Sequence, residues 1–148
     1  ARFFRRFAEG VFDLENLRKE TAKLADFVAD SSEKYGFEAR KVVALGYSNG
    51  ANIAASLLVS RPETLAGAVL LRGMTPFEPE NLPDLRDKVI FLASGRLDPI
   101  VPTQNVENLA QIFRRAGADV ELHWENASHG LTNADIEAAR EFVAQKFA

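Results

Sequence analysis

The chain has 148 residues, a formal net charge of −3 at pH 7 and 47% apolar residues. This length predicts one domain, residues 1–148, with enough apolar side chains for a real core, and the acidic balance argues against a nucleic-acid-binding surface. The lack of cysteine excludes disulfides and cysteine metal sites, and two well-separated histidines do not make a zinc site. We therefore expect neither a metal nor a cofactor.

No stretch of the sequence reaches the roughly 18 apolar residues of a membrane span. The amino-terminal residues also lack the features of a signal peptide. A cytoplasmic location is therefore the expectation.

The chain opens with an aromatic-rich stretch, residues 1–12, which we expect to be an irregular entry segment. Asp13 is the predicted N-cap of a helix that runs to about Tyr35 and ends at Gly36. Helical spacing of apolar residues predicts which side chains of this helix are buried: Leu14, Leu17, Leu24, Phe27 and Val28.

After this helix, strands and helices alternate. Apolar runs predict three strands, at residues 42–45, 66–71 and 88–93, and an alternation of polar and apolar residues predicts a fourth at 119–125. The helix after the first strand is apolar on nearly all sides up to Val59, which predicts a buried position. This β/α order, with right-handed crossovers, predicts an α/β fold with a mainly parallel sheet of about four strands and flanking helices.

Two more helices follow the third and fourth strands. One is closed by Gly117 and carries an apolar stripe at helical spacing: Val106, Leu109, Ile112, Phe113 and Ala116. Thr132 is expected to cap the other, whose inward-facing residues are predicted to be Ile136, Ala139, Val143 and Phe147. Residues 73–85 contain three prolines and predict a loop long enough to shape a pocket wall.

The two outer strands differ in character. Strand 119–125 alternates polar and apolar residues, which predicts an edge position. Strand 42–45 is fully apolar, as in a central strand, yet in this chain alone it would form an exposed edge. Because a bare apolar edge invites pairing, we expect a complementing amino-terminal segment or a second copy of the chain to cover it.

The most informative motif is Gly46-Tyr47-Ser48-Asn49-Gly50, between the first strand and the buried helix. Strand, sharp turn and helix form the setting of a nucleophile elbow, in which Ser48 holds its hydroxyl clear of the backbone. The two glycines are expected to leave room where larger side chains would collide. The Asn49 N–H, at a helix N-terminus, is a candidate donor to an oxyanion. A chance match to this short pattern is the alternative.

A serine nucleophile needs a base, and the base needs an orienting acid. His123 lies on the solvent-exposed face of the last strand and is predicted to be structural or merely exposed. His129 follows that strand in a loop and is the predicted base, with an ordinary loop histidine as the alternative. Asp98 follows the third strand, and Pro99 biases it away from helix. Its alternatives are an Asx-turn or a helix cap. The carboxyl ends of parallel strands carry the chemistry of α/β sheets, so Ser48, Asp98 and His129 are the predicted triad.

From Lys41 to Phe147 the chain resembles the carboxyl-terminal two-thirds of an α/β-hydrolase of the phospholipase/carboxylesterase family, which also resembles dienelactone hydrolases. The matching pieces are residues 46–52, 94–102 and 128–130, and the chain order Ser, Asp, His is that of the α/β-hydrolases. The resemblance implies a partial α/β-hydrolase fold and ester hydrolysis by Ser48, Asp98 and His129. Dienelactone hydrolases proper use a cysteine nucleophile, which this chain lacks, so an oxygen-ester carboxylesterase is favoured.

The resemblance also implies features that this sequence does not contain. The family begins with further strands and an oxyanion loop of His-Gly-Gly type, which supplies a second donor. Removing one such donor costs roughly 10² to 10³ in turnover.

We therefore predict a serine carboxylesterase that acts on small carboxylic esters. The alternatives are a thioesterase or lysophospholipase on the same triad, a catalytically incomplete fragment that needs its amino-terminal complement, and a non-catalytic binding protein. Tyr47 and the loop 73–85 are candidates for substrate contact, with packing as their alternative.

Overall fold

The structure is a computed structural model that describes residues 2–148. Its central element is a parallel four-stranded sheet. Its strands are β3 (Val43–Tyr47), β4 (Gly67–Leu71), β5 (Val89–Gly95) and β6 (Asp119–Glu125), and their order in space equals their order in the chain. Every neighbouring pair is parallel. The predicted α/β fold with a four-stranded parallel sheet is therefore confirmed.

Four helices connect or flank these strands: α1 (Leu14–Tyr35), α2 (Asn49–Ser60), α3 (Thr103–Arg115) and α4 (Asn133–Lys146). Helices α2 and α3 pack on one face of the sheet, with α1 against α2. Helix α4 covers the other face, where Phe142 packs against Phe91. Strands β4 and β5 are thus covered on both sides, and all five residues of β4 are buried, as its continuous apolar run predicts.

The predicted helix ends agree with the structure. Asp13 caps α1 by accepting a hydrogen bond from the Asn16 N–H, and Gly36 ends the helix in the left-handed conformation that favours glycine, at φ 69°. Thr132 and Asp135 form a reciprocal capping box at the start of α4. Local chemistry therefore fixes where these helices begin and end.

The entry segment is more regular than the sequence indicates. Residues Arg6–Ala8 (β1) and Val11–Phe12 (β2) pair as a short antiparallel hairpin, so the prediction of an irregular segment is wrong for these residues. Ala1 lies outside the described residues. The segment is tied to α1 because Arg5 donates to the Asp13 carboxylate at 2.7 Å.

The predicted buried face of α1 is partly wrong. Leu17 is buried, but Leu14 and Phe27 are exposed. The face that α2 covers instead carries Thr21 and Ala25, whose small side chains permit close approach, and the Thr21 hydroxyl lies 2.8 Å from that of Ser56 on α2. Phe27 is two residues beyond Ala25, which places it on the opposite side of a helix with 3.6 residues per turn.

The predicted inner face of α4 is also partly wrong. Ala139 is buried, as expected, whereas Ile136 and Val143 are exposed. The buried face contains Asp135, Ala139 and Phe142. An apolar pattern cannot identify this face because its first member is a buried carboxylate.

Strands β3 and β6 are the two edges of this sheet. The edge position predicted for β6 is confirmed, and β3 lies at the other edge with Leu45 largely exposed. An apolar groove beside β3 is lined by Phe3, Leu24, Val42, Leu45, Ile53 and Leu57, among others. The expectation that a further segment or a second copy covers this edge stays a prediction.

Within residues 2–148, the helices fall short of the length and apolar character that crossing a bilayer requires.

Candidate active site

Ser48 stands between the end of β3 and the start of α2, in a strained conformation with φ 53° and ψ −113°. A non-glycine residue in such a region costs about 1–3 kcal/mol and persists where its surroundings hold it. Here the Ser48 N–H donates to the carbonyl of Leu71 at 2.8 Å, and the Ser48 carbonyl accepts from the Asn52 N–H at 3.0 Å. The strand, turn and helix predicted around Ser48 are thus present.

The two glycines that flank Ser48 are not equivalent. A Cβ atom at Gly46 would lie 2.5 Å from the backbone carbonyl of Gly50 and 2.6 Å from the Ala51 nitrogen, so only glycine fits there. A Cβ atom at Gly50 would meet nothing closer than a ring carbon of Phe3 at 3.5 Å, which is ordinary contact. The steric prediction is therefore right for Gly46 and wrong for Gly50.

The imidazole of His129 lies between Ser48 and Asp98. Its Nε2 is 2.9 Å from the Ser48 Oγ, and its Nδ1 is 2.7 Å from an oxygen of Asp98. The Asp98 side chain is 2% exposed and that of His129 is 18% exposed. A carboxylate can only accept, so Nδ1 of the neutral ring carries the proton and Nε2 is left to accept from the Ser48 hydroxyl.

Asp98 uses its two oxygens differently. One accepts hydrogen bonds from the Ile100 N–H at 2.8 Å and the Val101 N–H at 3.1 Å, which is the Asx-type turn that the sequence left as an alternative. The other oxygen bonds to His129. The predicted alternative of an Asx-type turn is therefore present, and the turn aims the second oxygen at the imidazole. The role of Asp98 as the acid of a triad stays a prediction.

The remaining candidates lie around these three side chains. The Tyr47 hydroxyl donates to the backbone carbonyl of His129 at 3.1 Å. Asn49 begins α2, so its N–H has no acceptor within the helix, and its side-chain oxygen accepts from the Phe3 N–H at 2.9 Å. His123 pairs instead with Glu125 at 2.8 Å.

Arg72 is a residue of this region that our sequence reasoning missed. It directly follows β4, has φ 54°, and is 1% exposed. Its guanidinium donates to both oxygens of Asp135, at 3.0 and 2.6 Å, and to the carbonyls of Ser128 and Gly130, at 3.1 and 2.9 Å. The available signal is its position, because Ser48 and Asp98 also lie just after a strand.

Asp135 is a buried carboxylate whose charge is fully compensated. Burial by itself raises the pKa of Asp135, but hydrogen bonds from Arg72 and Thr132 outweigh burial and hold this pKa below its ordinary value. Asp135 is therefore ionised at neutral pH and forms a buried ion pair with Arg72.

Across residues 2–148, no group of three or more histidine, aspartate or glutamate side chains is arranged to hold a metal ion. The chemistry that the site offers is that of a hydroxyl, an imidazole and a carboxylate in series. Such a series transfers a proton away from the hydroxyl as the oxygen attacks a carbonyl carbon.

Comparisons with known proteins identify the family of this chain. The model of the dienelactone hydrolase family matches residues 8–147. MhqD of Bacillus subtilis, which is named as a hydrolase, is 40% identical over 144 residues, covering 97% of this chain and 72% of MhqD. The crystal structure of the Bacillus cereus carboxylesterase superposes with a TM-score of 0.96 at 44% identity, covering 99% of this chain and 69% of that one.

A more distant relative is acyl-protein thioesterase 1 of Debaryomyces hansenii, which is 22% identical over 138 residues, covering 88% of this chain and 59% of the relative. The family model matches nearly the whole chain, and the identity to MhqD is high over most of both chains, so the family of this chain is established. The chain belongs to the dienelactone hydrolase family and is a hydrolase of the carboxylesterase type.

Proposed function

We propose that this protein is a serine carboxylesterase that hydrolyses small carboxylic esters, with Ser48 as nucleophile, His129 as base and Asp98 as orienting acid. One observation carries the proposal: two short hydrogen bonds, of 2.9 and 2.7 Å, link the Ser48 hydroxyl through the imidazole to the Asp98 carboxylate. The strained backbone of Ser48 supports it, since such strain clusters at functional sites.

The reaction begins when the Ser48 Oγ attacks the ester carbonyl carbon and His129 Nε2 takes the hydroxyl proton. The carbonyl oxygen becomes an oxyanion, to which the Asn49 N–H donates at the positive end of α2. The C–O bond to the alcohol breaks, and His129 returns its proton to the leaving oxygen. Water, deprotonated by His129, then attacks the acyl-enzyme, releases the carboxylic acid and restores Ser48.

The direct test is labelling with a fluorophosphonate probe, together with turnover of p-nitrophenyl acetate. Ser48→Ala should abolish labelling and lower kcat by up to the order of 10⁶, as in serine hydrolases of this design. Ser60→Ala is the matched control, because Ser60 is an exposed serine at the far end of α2, and it should label normally. Full labelling of Ser48→Ala would refute the assignment of the nucleophile.

A thioesterase acting through the same three residues is the second candidate, and the likeness to acyl-protein thioesterase 1 favours it. Thioesters and oxygen esters pass through the same acyl-enzyme on Ser48. The two candidates are distinguished by kcat/KM for an oxygen ester and a thioester with the same acyl group. A larger value for the thioester would select the second candidate.

Dependence on an amino-terminal complement also remains a proposal. Asn49 N–H is the one oxyanion donor that we assign, and a missing donor costs about 10² to 10³ in turnover. Adding a segment that supplies a second donor should raise turnover by that factor. Unchanged turnover after such addition would argue that the chain needs no complement.

A further inference from the structure

Ser48 and His129 are carried by opposite edges of the sheet, since Ser48 follows β3 and His129 follows β6. Neighbouring strands lie about 4.8 Å apart, so three such spacings separate the two strand ends by roughly 14 Å. Residues 126–132 run from the end of β6 to Thr132, the N-cap of α4, and we call them the His129 loop. This loop must run back over the ends of β5 and β4 for the imidazole to reach Ser48.

Three consecutive carbonyls of the His129 loop are held by side chains from the other strands. Arg72, at the end of β4, donates to the carbonyl of Ser128 through Nε at 3.1 Å and to that of Gly130 through Nη2 at 2.9 Å. Tyr47, at the end of β3, donates to the carbonyl between them at 3.1 Å. Arg72 thus bonds to the residues on both sides of His129.

Asp135 fixes the guanidinium in the orientation that these bonds need. Both side chains of the pair are 0% exposed, and the carboxylate accepts from both terminal nitrogens, at 3.0 and 2.6 Å. A planar fork with five donors can bind a carboxylate and two carbonyls at once, which the point charge of a lysine cannot do. The chemistry of arginine is therefore specifically used here.

We propose that Arg72 is a positioning residue for the hydrolytic reaction. It holds the His129 loop over the sheet, so that the imidazole stays within hydrogen-bond distance of Ser48 and Asp98. This inference rests on the function proposed above for Ser48 and His129. The side-chain hydrogen bonds of Arg72 go to the loop and to Asp135, and its side chain is 0% exposed, which keeps it out of reach of a substrate.

Two variants test the proposal. Arg72→Lys keeps the charge beside Asp135 but loses the fork. The double variant Arg72→Met with Asp135→Asn removes both charges together, which avoids the large cost of leaving one buried charge unpaired. Arg140→Met is the control, because Arg140 is an exposed arginine paired with Glu137 on the outer face of α4.

In both Arg72 variants, kcat should fall on the order of 10²-fold, the usual cost of displacing a catalytic group by about 1 Å. KM should change less than about twofold, because the residue does not bind substrate. The downfield proton resonance of the His129 Nδ1–H, bonded to Asp98, should broaden or vanish. The control variant should retain both kcat and the resonance.

The outcomes separate this inference from the proposed function. If Ser48→Ala keeps full turnover, the proposed function fails whatever the Arg72 variants do. If Ser48 is essential but a folded Arg72 variant retains wild-type kcat and the Nδ1 resonance, the positioning role is refuted. Melting temperatures show which variants are folded at the assay temperature. If either the Lys variant or the double variant fails to fold, the other one still tests the positioning role.

Discussion

Gly95, the last residue of β5, lies directly against the His129 loop, and replacing it with alanine should displace His129 and lower turnover. A Cβ atom at this position would lie 2.2 Å from the carbonyl oxygen of Ala127 and 2.4 Å from that of Ser128. Ordinary contact begins near 3.4 Å, so the loop must retreat by about 1 Å. The hydrogen bonds of His129 to Ser48 and Asp98, now 2.9 and 2.7 Å, would then exceed the usual limit of about 3.2 Å.

The expected loss in kcat for Gly95→Ala is about 10²-fold, which corresponds to roughly 2.7 kcal/mol in the activation barrier. The free energy of unfolding should fall by about 1–3 kcal/mol because the site becomes overpacked. The assay is p-nitrophenyl acetate hydrolysis, with chemical denaturation in parallel.

Gly130→Ala is the matched control within the same loop. A Cβ atom there meets nothing within 4 Å, so its kcat and stability should stay close to the wild-type values. A folded Gly95→Ala protein with wild-type kcat would show that the position of the His129 loop does not govern turnover, and the steric reasoning would be refuted.

Three further predictions concern other parts of the molecule. Gly46→Ala should unfold the turn around Ser48 and abolish fluorophosphonate labelling. Gly50→Ala, in the first turn of α2, should leave labelling intact and raise the melting temperature slightly, and equal behaviour of the two variants would contradict this steric argument. The pKa of Asp135 is lowered in the folded state. The ionised carboxylate therefore contributes fully to the free energy of unfolding above the ordinary carboxyl pKa of about 3.9, and this contribution is lost as the pH falls through the lowered pKa. Asp135→Asn should therefore cost about 3–5 kcal/mol at pH 7 by leaving Arg72 unpaired, and urea unfolding below about pH 4 should show a shallower decline than in the wild type. Leu45→Lys on the exposed edge strand should reduce any self-association seen by light scattering, and a monomeric wild type would remove pairing between copies as the cover of this edge.

Much of the fold could be predicted because the relevant signals are local. Asp13 and Thr132 cap their helices by bonding to residues three positions along the chain, and the apolar run of β4 identifies a strand covered on both faces. The positions of the candidate site residues could also be predicted, because Ser48, Asp98 and His129 each follow a strand of a parallel sheet. Their roles in catalysis stay predictions.

The parts that could not be predicted depend on distant partners. The buried faces of α1 and α4 are chosen by what packs against them, so Phe27 and Ile136 are exposed despite their apolar side chains. Arg72 looks in the sequence like a charge at the end of a strand, which is usually solvated. Its counter-ion is 63 residues away, and no local pattern connects the two.

The bonds of Asp135 tie the start of α4 to Arg72 at the end of β4. One carboxylate oxygen accepts from Arg72, which holds the His129 loop, and also from the Thr132 N–H at the start of α4. We therefore expect detachment of the loop to disturb the cap of the helix, so that the two open as one cooperative unit. Amide hydrogen exchange at Thr132 should then report how often the His129 imidazole moves away from Ser48.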